Sequence, residues 1–409
     1  MMFSCRLPSF SLVSVMIAMS PAMAQWTQWR GSERNGRVTS DAWPSKLNGA
    51  IQQRWTSKLG PSYSGPVMLD GTVFTTETID KQTERVTAYS LADGSVEWQH
   101  EWPGYMAVPF FAAANGDWIR STPAVVPGAL VILGMRDVLV CLDPESGNEQ
   151  WKIDFPQQYG QPMQAFGAVC SPLIHDGAVF VQLGGGLTKV DLETGEVQWQ
   201  VLDDTAGMSG GAFSSPSLAT IDGQLQLLVQ TRQELCGVDL QSGAVYWREA
   251  IEAFRGMNIL TPLAIGDTVF TAAHSGQSQL FGIDRASSVW SVDESWNQKS
   301  QGYMSSPVEV DGNIYLHAKS ERFQCINSTD GSIEWTSRPV GKYWSMVHND
   351  KSILALASDG ELRLIDASPE SFQVTDQIRV ADDSWAHLAI DGSTIVIRSL
   401  DALSVYDWK

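Results

Sequence analysis

Short apolar runs separated by glycine-bearing turns recur along most of the chain. A typical pair of runs is SPLIHDGAVF from Ser171, and related pairs begin at Gly65, Thr122, Ser215, Thr261 and Ser306. Apolar, β-branched runs joined by a tight glycine turn predict pairs of antiparallel strands. A third run ends in Asp, and after a turn such as ETG a fourth run carries a Trp, as in VDLETGEVQW. The pattern therefore predicts units of four short antiparallel strands.

The units repeat in tandem, with their Trp residues 43 to 53 residues apart. These residues are Trp98, Trp151, Trp199, Trp247, Trp290 and Trp335. Four-stranded sheets repeated at this period form a propeller, because each sheet buries both faces against its neighbours and radial closure protects the strand edges. We expect each Trp to dock on the next blade from its place on the outermost strand, where the wedge between blades is widest.

Two weaker units complete the ring, and the N-terminal region closes it. The units from Trp344 and Trp385 lack the outer-strand Trp, and the second ends after its third strand. IQQRWTSKL from Ile51 supplies the missing strand, with Trp55 in the docking position. The sequence predicts an all-β fold, a single eight-bladed propeller over residues 51–409 closed by an N-terminal outer strand. Truncation before Ser57 should destabilise the ring, and loss of residues 25–36 should leave it intact.

The first 24 residues have the pattern of a secretory signal peptide. Arg6 precedes an apolar run over residues 12–19, and Ala22-Met23-Ala24 follows it. The run is much shorter than the roughly 20 residues of a membrane-spanning helix. Cys5 lies before the run, where it cannot serve as a lipidation site. We expect cleavage near Ala24 and a periplasmic or secreted product, in which residues 25–50 form an extension packed on the propeller.

Composition narrows the classes of partner. The chain has 27 basic and 46 acidic residues and a net charge of −19, which becomes −20 when Arg6 leaves with the signal peptide. Such a charge repels phosphate backbones, so nucleic acid is not an expected partner. The six His residues lack metal-site spacing, and no metal site is predicted. We expect a monomer.

Four cysteines remain after cleavage, and they are widely separated. No two of them form a CxxC pair, and disulfide frameworks are typical of much smaller secreted domains. We interpret them as buried small apolar residues, with one bridge left open as an alternative. They are Cys141, Cys170, Cys236 and Cys325.

The repeating unit, SPVxxDGxVY followed by DxxTGxxxW, resembles the pyrroloquinoline-quinone (PQQ)-like propeller repeat, and the resemblance covers nearly all of residues 51–409. That superfamily has two relevant branches. Quinoprotein dehydrogenases hold PQQ and usually Ca²⁺ on the propeller axis, whereas a smaller BamB-like branch is a non-catalytic scaffold. The opening WTQWRGSERNG from Trp26 resembles one found in secreted PQQ-like proteins of planctomycetes.

The chain is closer to the scaffold branch in length. It also lacks the adjacent Cys-Cys pair of the alcohol dehydrogenases and an assignable set of Glu, Asn and Asp calcium ligands. The resemblance therefore implies a non-catalytic binding or scaffold protein, with no catalytic residue and no cofactor predicted. The alternative is a PQQ-dependent oxidoreductase, with PQQ and Ca²⁺, that acts on an alcohol or a sugar.

The connections from each outer strand to the next inner strand are long and rich in aromatic residues, Met and Gly. Examples are WPGYMAVPFFAAANGDWIR from Trp102 and FPQQYGQPMQAFGAV from Phe155. In a propeller all of them emerge on one face, which we call the long-loop face. Long loops on a rigid scaffold usually carry recognition, and Met and aromatic side chains make adaptable contacts.

We therefore predict that a protein partner or a small ligand binds at the long-loop face. The alternative is that these loops only plug the funnel. Cations of the loops could meet an anionic group of the ligand, or they could pair with Asp117 and Glu294. The candidate residues are Trp118, Arg120, Phe166, Met208, Arg255, Lys299, Tyr303, Lys342 and Trp344.

Overall fold

The computed structural model of the chain describes residues 25–39, 42–203, 210–287 and 289–409. The predicted signal peptide lies outside the described residues. Within them the chain forms eight antiparallel sheets arranged as the blades of a propeller. The predicted fold class is confirmed.

Each blade has four strands, numbered here from the propeller axis outwards. Blade 1 consists of Val67–Leu69, Thr72–Ile79, Thr83–Ser90 and Val96–Pro103, and blade 2 consists of Ala124–Val126, Ala129–Leu133, Val138–Leu142 and Glu149–Asp154. Blade 3 consists of Leu173–His175, Ala178–Leu183, Gly186–Asp191 and Val197–Val201. Blade 4 consists of Ser217–Ile221, Gln224–Gln230, Glu234–Val238 and Val245–Ala250. Blade 5 consists of Leu263–Ile265, Thr268–Ala272, Ser278–Ala286 and Val289–Gln298. Blade 6 consists of Val308–Val310, Asn313–His317, Arg322–Asn327 and Ile333–Pro339. Blade 7 consists of Trp344–His348, Ser352–Ala357, Glu361–Asp366 and Val374–Arg379. Blade 8 consists of Ala389–Asp391, Thr394–Arg398, Ala402–Trp408 and, as its outer strand, Ile51–Lys58.

The burial of each strand follows its place in the blade. The middle strands Ala129–Leu133 and Val138–Leu142 are buried at every position, because both of their faces meet a neighbouring blade. The outer strand Val197–Val201 alternates between half-buried and exposed positions. Continuous apolar runs and strict alternation are the sequence signatures of these two environments. The core is therefore a series of apolar layers between blades.

The N-terminal strand closes the ring as predicted. Ile51–Lys58 pairs antiparallel with the last strand, Ala402–Trp408, and Trp55 lies opposite Val405. This pairing joins the two ends of the propeller through a ladder of backbone hydrogen bonds. The edge strand at the seam is thereby covered.

Docking of Trp on the next blade is seen at most of the predicted positions. The indole N–H of Trp98 donates to the carbonyl of Pro144 (3.0 Å), and its ring lies against Gly147 in the turn of blade 2. A Cβ on Gly147 would lie 2.5 Å from the ring, so that position needs glycine. Equivalent indole bonds join Trp55 to Leu91, Trp151 to Leu192 and Trp335 to Ser368. Trp199 packs against Gly243.

Blade 5 departs from the pattern, and the docking position predicted for Trp290 is wrong. Trp296 docks there instead, with its indole N–H on the Ser328 carbonyl (2.9 Å) and its ring against Gly331. Blade 5 lacks a turn glycine, and its two outer strands form a longer hairpin around Ser287, whose φ is +50°. Trp290 therefore lies near the hairpin tip and stacks on Tyr246 of blade 4.

The same hairpin changes the environment of Trp247. Its indole N–H donates to Gln226 (2.7 Å) of its own blade, instead of to a carbonyl of blade 5. Trp247 is nonetheless buried within the apolar layer between blades 4 and 5. Trp247 therefore packs between the blades but lacks the indole hydrogen bond to the next blade that docking residues such as Trp98 make.

Residues 25–38 lie in the central channel, and we call them the axial segment. Gln25–Trp26 adds a fifth strand to the inner edge of blade 1. Gln28 exchanges hydrogen bonds with the backbone of Ile174 in blade 3, and Val38 donates to His348 in blade 7. Because this segment joins inner strands on opposite sides of the channel, its contacts favour a stabilising role, in contrast to the expectation that residues 25–36 can be lost without effect on the ring.

Among the described residues, three short helical turns lie in the long-loop connections. They are the 3₁₀ turn Phe110–Asn115, the α-helix Phe155–Tyr159 and the 3₁₀ turn Phe254–Gly256. The Asp154 carboxylate accepts the amide N–H of Gln157 and so caps the α-helix, and Gly160 ends it in the left-handed conformation.

Candidate binding site

The long-loop connections surround a funnel of about 810 Å³ on the propeller axis. This volume is in the range of small-molecule sites, roughly 300–1,000 Å³. Trp29 of the axial segment lies at its floor, and the walls come from the connections between blades. A groove of similar volume on the opposite face is lined by residues of the short strand turns and their neighbours, among them Gly128, Asp176 and Asp191. The funnel is the stronger candidate, because it combines apolar walls with converging polar groups.

A ring of hydroxyl groups holds the inner strands together around the funnel. The amide of Gly65 donates to the Thr122 hydroxyl (2.9 Å), and the amide of Thr122 donates to Ser171 (3.0 Å). The series continues through Ser215, Thr261 and Ser306. Each of these residues precedes a proline, and all of them except Gly65 carry a hydroxyl group. The small polar residues at the unit starts therefore link neighbouring blades.

Aromatic side chains form two arcs around the mouth of the funnel. The shorter arc contains Phe111, Phe166 and Phe213, with ring centroids 6.1 and 5.8 Å apart. In the longer arc neighbouring centroids are 4.2 to 5.8 Å apart. That arc runs through Phe254, His274, Tyr303, Tyr343, Trp385, Tyr63 and Trp118. Every connection between consecutive blades, or the adjoining strand turn, contributes a ring.

Three arginines line the funnel where the two arcs meet. Arg232 lies over the Phe213 ring at 4.3 Å and donates to the carbonyl of Arg255 (2.8 Å). Arg255 lies beside Phe254, with a backbone φ of +52°. At the other junction Arg120 donates to the Gly116 carbonyl (2.8 Å). Burial lowers the pKa of Arg120 to about 10, which leaves the guanidinium charged at neutral pH.

Two further arginines lie beneath the floor. The guanidinium carbons of Arg30 and Arg34 are both 5.5 Å from the Trp29 ring. Arg34 donates to the carbonyls of Pro172 (2.7 Å) and Ser171 (2.9 Å), and Arg30 donates to those of Pro307 and Asn35. Burial lowers the pKa of Arg30 to about 9 and that of Arg34 to about 10. Both stay protonated at neutral pH without a carboxylate partner among the described residues.

The predicted ligand-face residues fall into separate groups. Arg120, Phe166, Arg255 and Tyr303 line the funnel, and Trp118 packs edge-on against the lining residue Tyr63. Lys299 and Lys342 are exposed and do not line it. Met208 lies outside the described residues.

The prediction that Trp344 lies on the ligand face is wrong. Trp344 begins the inner strand of blade 7 and is 2% exposed, stacked on His317 and packed against Phe323. Asp117, considered as a partner of the loop cations, pairs with Lys81 and Tyr105.

Several lining residues were not among the candidates. Tyr63 and Trp385 lie outside the loops singled out by length, and Arg232 lies in a short strand turn. Trp29 belongs to the extension that the sequence predicts to pack on the propeller, and the structure places it inside the channel. The regular recurrence of Ser or Thr before Pro at the unit starts is the sequence signal for the hydroxyl ring.

The funnel does not have the donor set of a calcium–quinone site. Among the described lining residues there is no Asp or Glu, and Asn115 is the one side-chain amide. No group of three or more His, Cys, Asp or Glu in the described part of the chain could hold a metal ion. Calcium prefers several oxygen ligands, carboxylates among them. These residues therefore do not fit Ca²⁺ with PQQ.

The four cysteines of the propeller are free thiols and are buried. Burial raises the pKa of Cys141, Cys170 and Cys236 to about 12. Such thiols are inert as nucleophiles, and the alternative of one disulfide bridge is not realised in this structure.

No helix within the described ranges has the length and apolar character needed to cross a membrane.

Comparison with known proteins gives one family match and several relatives. The family model described as outer membrane protein assembly factor BamB matches residues 82–337. The outer membrane protein assembly factor BamB of Yersinia pestis is 20% identical over 236 residues, which are 55% of this chain and 55% of that protein. The chain thus matches about half the length of that relative.

Two solved structures show the same fold at low identity. BamB from Moraxella catarrhalis superposes with a TM-score of 0.64 at 15% identity, over 88% of this chain and 100% of that one. Quinohemoprotein alcohol dehydrogenase from Comamonas testosteroni has a TM-score of 0.62 at 11% identity, over 94% and 80% of the two chains. The structural likeness shows that the propeller fold is shared with both of these proteins. Since the family model covers more than half of its residues, the chain belongs to the PQQ_2 family, whose model is described as outer membrane protein assembly factor BamB.

Proposed function

We propose that this protein is a non-catalytic, extracytoplasmic binding or scaffold protein that engages a protein partner through its long-loop face. The observation that carries the proposal is an exposed apolar surface around the funnel. Five of the ten large apolar side chains exposed among the described residues lie in the long-loop connections. We call these five the collar: Phe110, Phe111, Tyr159, Met163 and Phe254.

The collar differs from the remaining exposed apolar residues. Four of the others, such as Ile333 and Val374, lie singly on the outer strands of different blades. Phe110 is 90% exposed and contacts Phe111, which in turn contacts the funnel wall at Phe166. Contiguous exposed apolar surface marks a binding site, whereas single exposed residues are normal. Membership of a family described as an assembly factor supports a protein partner.

The chemistry of the funnel supports a non-catalytic role. His387 bonds to the Ser345 hydroxyl (3.0 Å), which is the arrangement of a nucleophile and a base. Burial, together with the positive charge of Arg30, lowers the pKa of His387 to about 3. A general base works best with a pKa near the operating pH, so this imidazole is a poor one. The Ser345 hydroxyl also accepts the Leu388 amide, which fixes it as a structural link between blades.

Location outside the cytoplasm follows from the predicted signal peptide and is part of the proposal. The binding face would then meet envelope or extracellular proteins. Anchoring in the membrane is not required for such a role.

The test is capture of partners by the tagged mature protein from its native envelope. Replacing Phe110 and Phe254 by Ala removes two collar rings, and each buried aromatic of an interface is worth about 1–2 kcal/mol or more. We expect recovery of the partner to fall at least tenfold, since about 1.4 kcal/mol is a factor of ten in affinity. The control replaces Ile333 and Val374 by Ala on the outer strands. Equal recovery with the collar variant and the control would contradict the proposal.

A further inference from the structure

A buried carboxylate lies where two long-loop connections meet the strand turns beneath them. Asp137 is 1% exposed and ends the turn between the second and third strands of blade 2. One carboxylate oxygen accepts the side-chain amide N–H of Gln164 (2.8 Å) in the connection between blades 2 and 3. The other accepts the backbone N–H of Gly184 (3.1 Å) in the equivalent turn of blade 3. Both oxygens therefore already face N–H donors.

Gln164 extends this link to the next connection. Its side chain is buried, and its amide oxygen accepts the backbone N–H of Ala212 (3.1 Å) between blades 3 and 4. A Cβ on Gly211 would lie 2.4 Å from the same oxygen, so the amide fits closely against that connection. Hydrogen bonds thus run from Asp137 through Gln164 to Ala212 and join blade 2 to two connections of the long-loop face.

The linked residues adjoin side chains of the binding face. Gln164 lies directly after Met163 of the collar and shortly before Phe166 of the funnel wall. Ala212 directly precedes Phe213, whose ring centroid is 5.8 Å from that of Phe166. A loop that is already held in its bound conformation loses less entropy on binding. The network beneath these rings therefore sets how well the face is arranged for a partner.

The charged and titratable groups around Asp137 leave its carboxylate without an ion pair. Burial raises the pKa of Asp137 to about 6, against the opposite effect of its N–H donors. Glu84 accepts the Met135 amide of the same turn, and burial raises the pKa of Glu84 to about 8, so Glu84 keeps its proton as the pH falls below 7. None of the described groups on the elements packed against Asp137 pairs with it. These groups are Arg136, Asp154, Tyr159, Glu84, Cys170 and Arg34.

Protonation of Asp137 would change the centre of this network. A carboxylate only accepts hydrogen bonds, whereas a protonated carboxyl group carries an O–H donor that needs an acceptor. The N–H groups of Gln164 and Gly184 cannot accept that proton, so the carboxyl group must turn or a partner must move. If Gln164 turns its amide to offer its oxygen, its NH₂ group then faces the Ala212 N–H. The bonds that remain also weaken, because charge-assisted hydrogen bonds are roughly twice as strong as neutral ones.

We propose that the ionised Asp137 carboxylate is a pH-sensitive latch that holds the connections at Gln164 and Ala212 in their binding arrangement, and that protonation of Asp137 releases them. This proposal rests on the proposed function, because it names how the same face is regulated. Asp137 is a positioning residue, since it lies beneath the face and acts on the partner through the two connections.

The latch opens within a folded propeller. Because the pKa of Asp137 is raised above its ordinary 3.8, the folded chain holds this proton more tightly than the unfolded chain does. The free energy of unfolding that this protonation contributes is fully present below pH 3.8 and is lost as the pH rises through about 6. Release of the connections is therefore distinct from acid denaturation.

A fluorescent label beside Gln164 tests the latch without a partner. Met163, which is 46% exposed, is replaced by Cys in the mature protein and labelled with a dye that responds to its surroundings but not to pH. The buried thiols of the propeller do not compete for the dye. We expect the emission to change with a midpoint near pH 6. The matched control carries the label at Leu225 on the opposite face, which is 37% exposed, and should show no transition.

Variants assign the transition to Asp137. Asn has the shape of Asp, is neutral and carries a donor at every pH, as the protonated acid does. The labelled Asp137→Asn variant should therefore lack the transition and show the low-pH emission throughout. Gln164→Met breaks the same link from its other side and should do likewise, which keeps the test open if Asp137→Asn fails to fold. Glu84→Gln should keep the transition, and circular dichroism checks that each variant is folded.

Capture of partners from the native envelope links the latch to binding. We expect recovery by the unmodified mature protein to fall about fivefold or more between neutral and mildly acidic pH, as the loss of one hydrogen bond predicts. Asp137→Asn should recover little at either pH. A missing transition, a transition that persists in Asp137→Asn, or capture that depends on the collar but not on Asp137 would overturn the latch, and the last result would leave the proposed function standing. If the collar variant keeps its partner, the proposed function fails and the latch fails with it.

Discussion

Trp55 is the docking residue at the seam of the ring, and its replacement by Ala tests how the propeller closes. The residue lies on the outer strand Ile51–Lys58, which belongs to blade 8 although it comes from the N-terminal part of the chain. Its indole N–H donates to the Leu91 carbonyl of blade 1 (2.9 Å). Its ring lies on Gly94 and contacts Tyr89, with ring centroids 5.8 Å apart.

The magnitude follows from these contacts. Truncation of a fully buried Trp to Ala lowers the free energy of unfolding by about 3–5 kcal/mol. A lost hydrogen bond accounts for about 1 kcal/mol of such a loss. Because Trp55 is half-buried, we expect the free energy of unfolding to fall by about 2–4 kcal/mol. The matched control is Trp290→Ala, whose ring lies on Tyr246 without an indole docking bond to the next blade. We expect the control to cost about 1 kcal/mol or less.

The assay is urea unfolding of the mature protein, followed by far-ultraviolet circular dichroism, with trypsin cleavage as a second probe. Trp55→Ala should lower the unfolding midpoint more than Trp290→Ala does and should speed cleavage near the seam. Equal midpoints for the two variants would refute the account of closure through Trp55.

Three further predictions concern the axis, a buried acid and the cofactor. Deletion of residues 25–38 removes Trp26, 5% exposed, and Arg30, 1% exposed, from the channel, so we expect a lower melting temperature in calorimetry; an unchanged value would show that the axial segment is dispensable. Burial raises the pKa of Glu84 from its ordinary 4.5 to about 8, although the Met135 amide and Trp102 indole donate to its carboxyl group. The folded chain thus holds the Glu84 proton more tightly than the unfolded chain does. The free energy of unfolding that this protonation contributes is fully present below pH 4.5 and is lost as the pH rises through about 8. Glu84→Gln should flatten that decline by an amount on the order of a few kcal/mol, and parallel melting curves of both proteins against pH would contradict the assignment. When PQQ and Ca²⁺ are added to the purified mature protein, we expect neither stoichiometric quinone absorbance nor dye-linked alcohol oxidation. An active stoichiometric complex would contradict the binding-protein proposal.

The architecture was predictable because the repeat signals are local and regular. Glycine four residues before the docking Trp marks the outer turn, as with Gly147 and Trp151 or Gly195 and Trp199. Pro after Ser or Thr marks the inner strand. Closure through Trp55 could be predicted because a strand with a docking Trp was missing at one end and present at the other.

The errors occurred where the local signal is absent. Blade 5 has no turn glycine. Spacing alone therefore indicates Trp290, whereas the longer hairpin moves the docking position to Trp296. Trp344 follows an aromatic loop, but the inner strand starts at that residue and turns its side chain into the core. A one-residue difference in where a strand begins decides whether a side chain faces the core or the solvent.

The candidate site was predictable in location and only partly in composition. Long loops indicated the binding face and included Arg120, Phe166, Arg255 and Tyr303. Arg232 was not predicted, because a short strand turn reaches the funnel only through the curvature of the ring. The sequence predicts only that residues 25–50 pack on the propeller, since no local pattern indicates that a chain enters a central channel.

Site-specific photocrosslinking tests the central claim most directly. A photoreactive benzoylphenylalanine replaces Phe110 in the collar, which is 90% exposed, or Leu225 on the opposite face, which is 37% exposed. After irradiation in the native envelope, we predict a discrete protein adduct from position 110 and none from position 225. An adduct from position 225 with none from position 110 would contradict binding through the long-loop face.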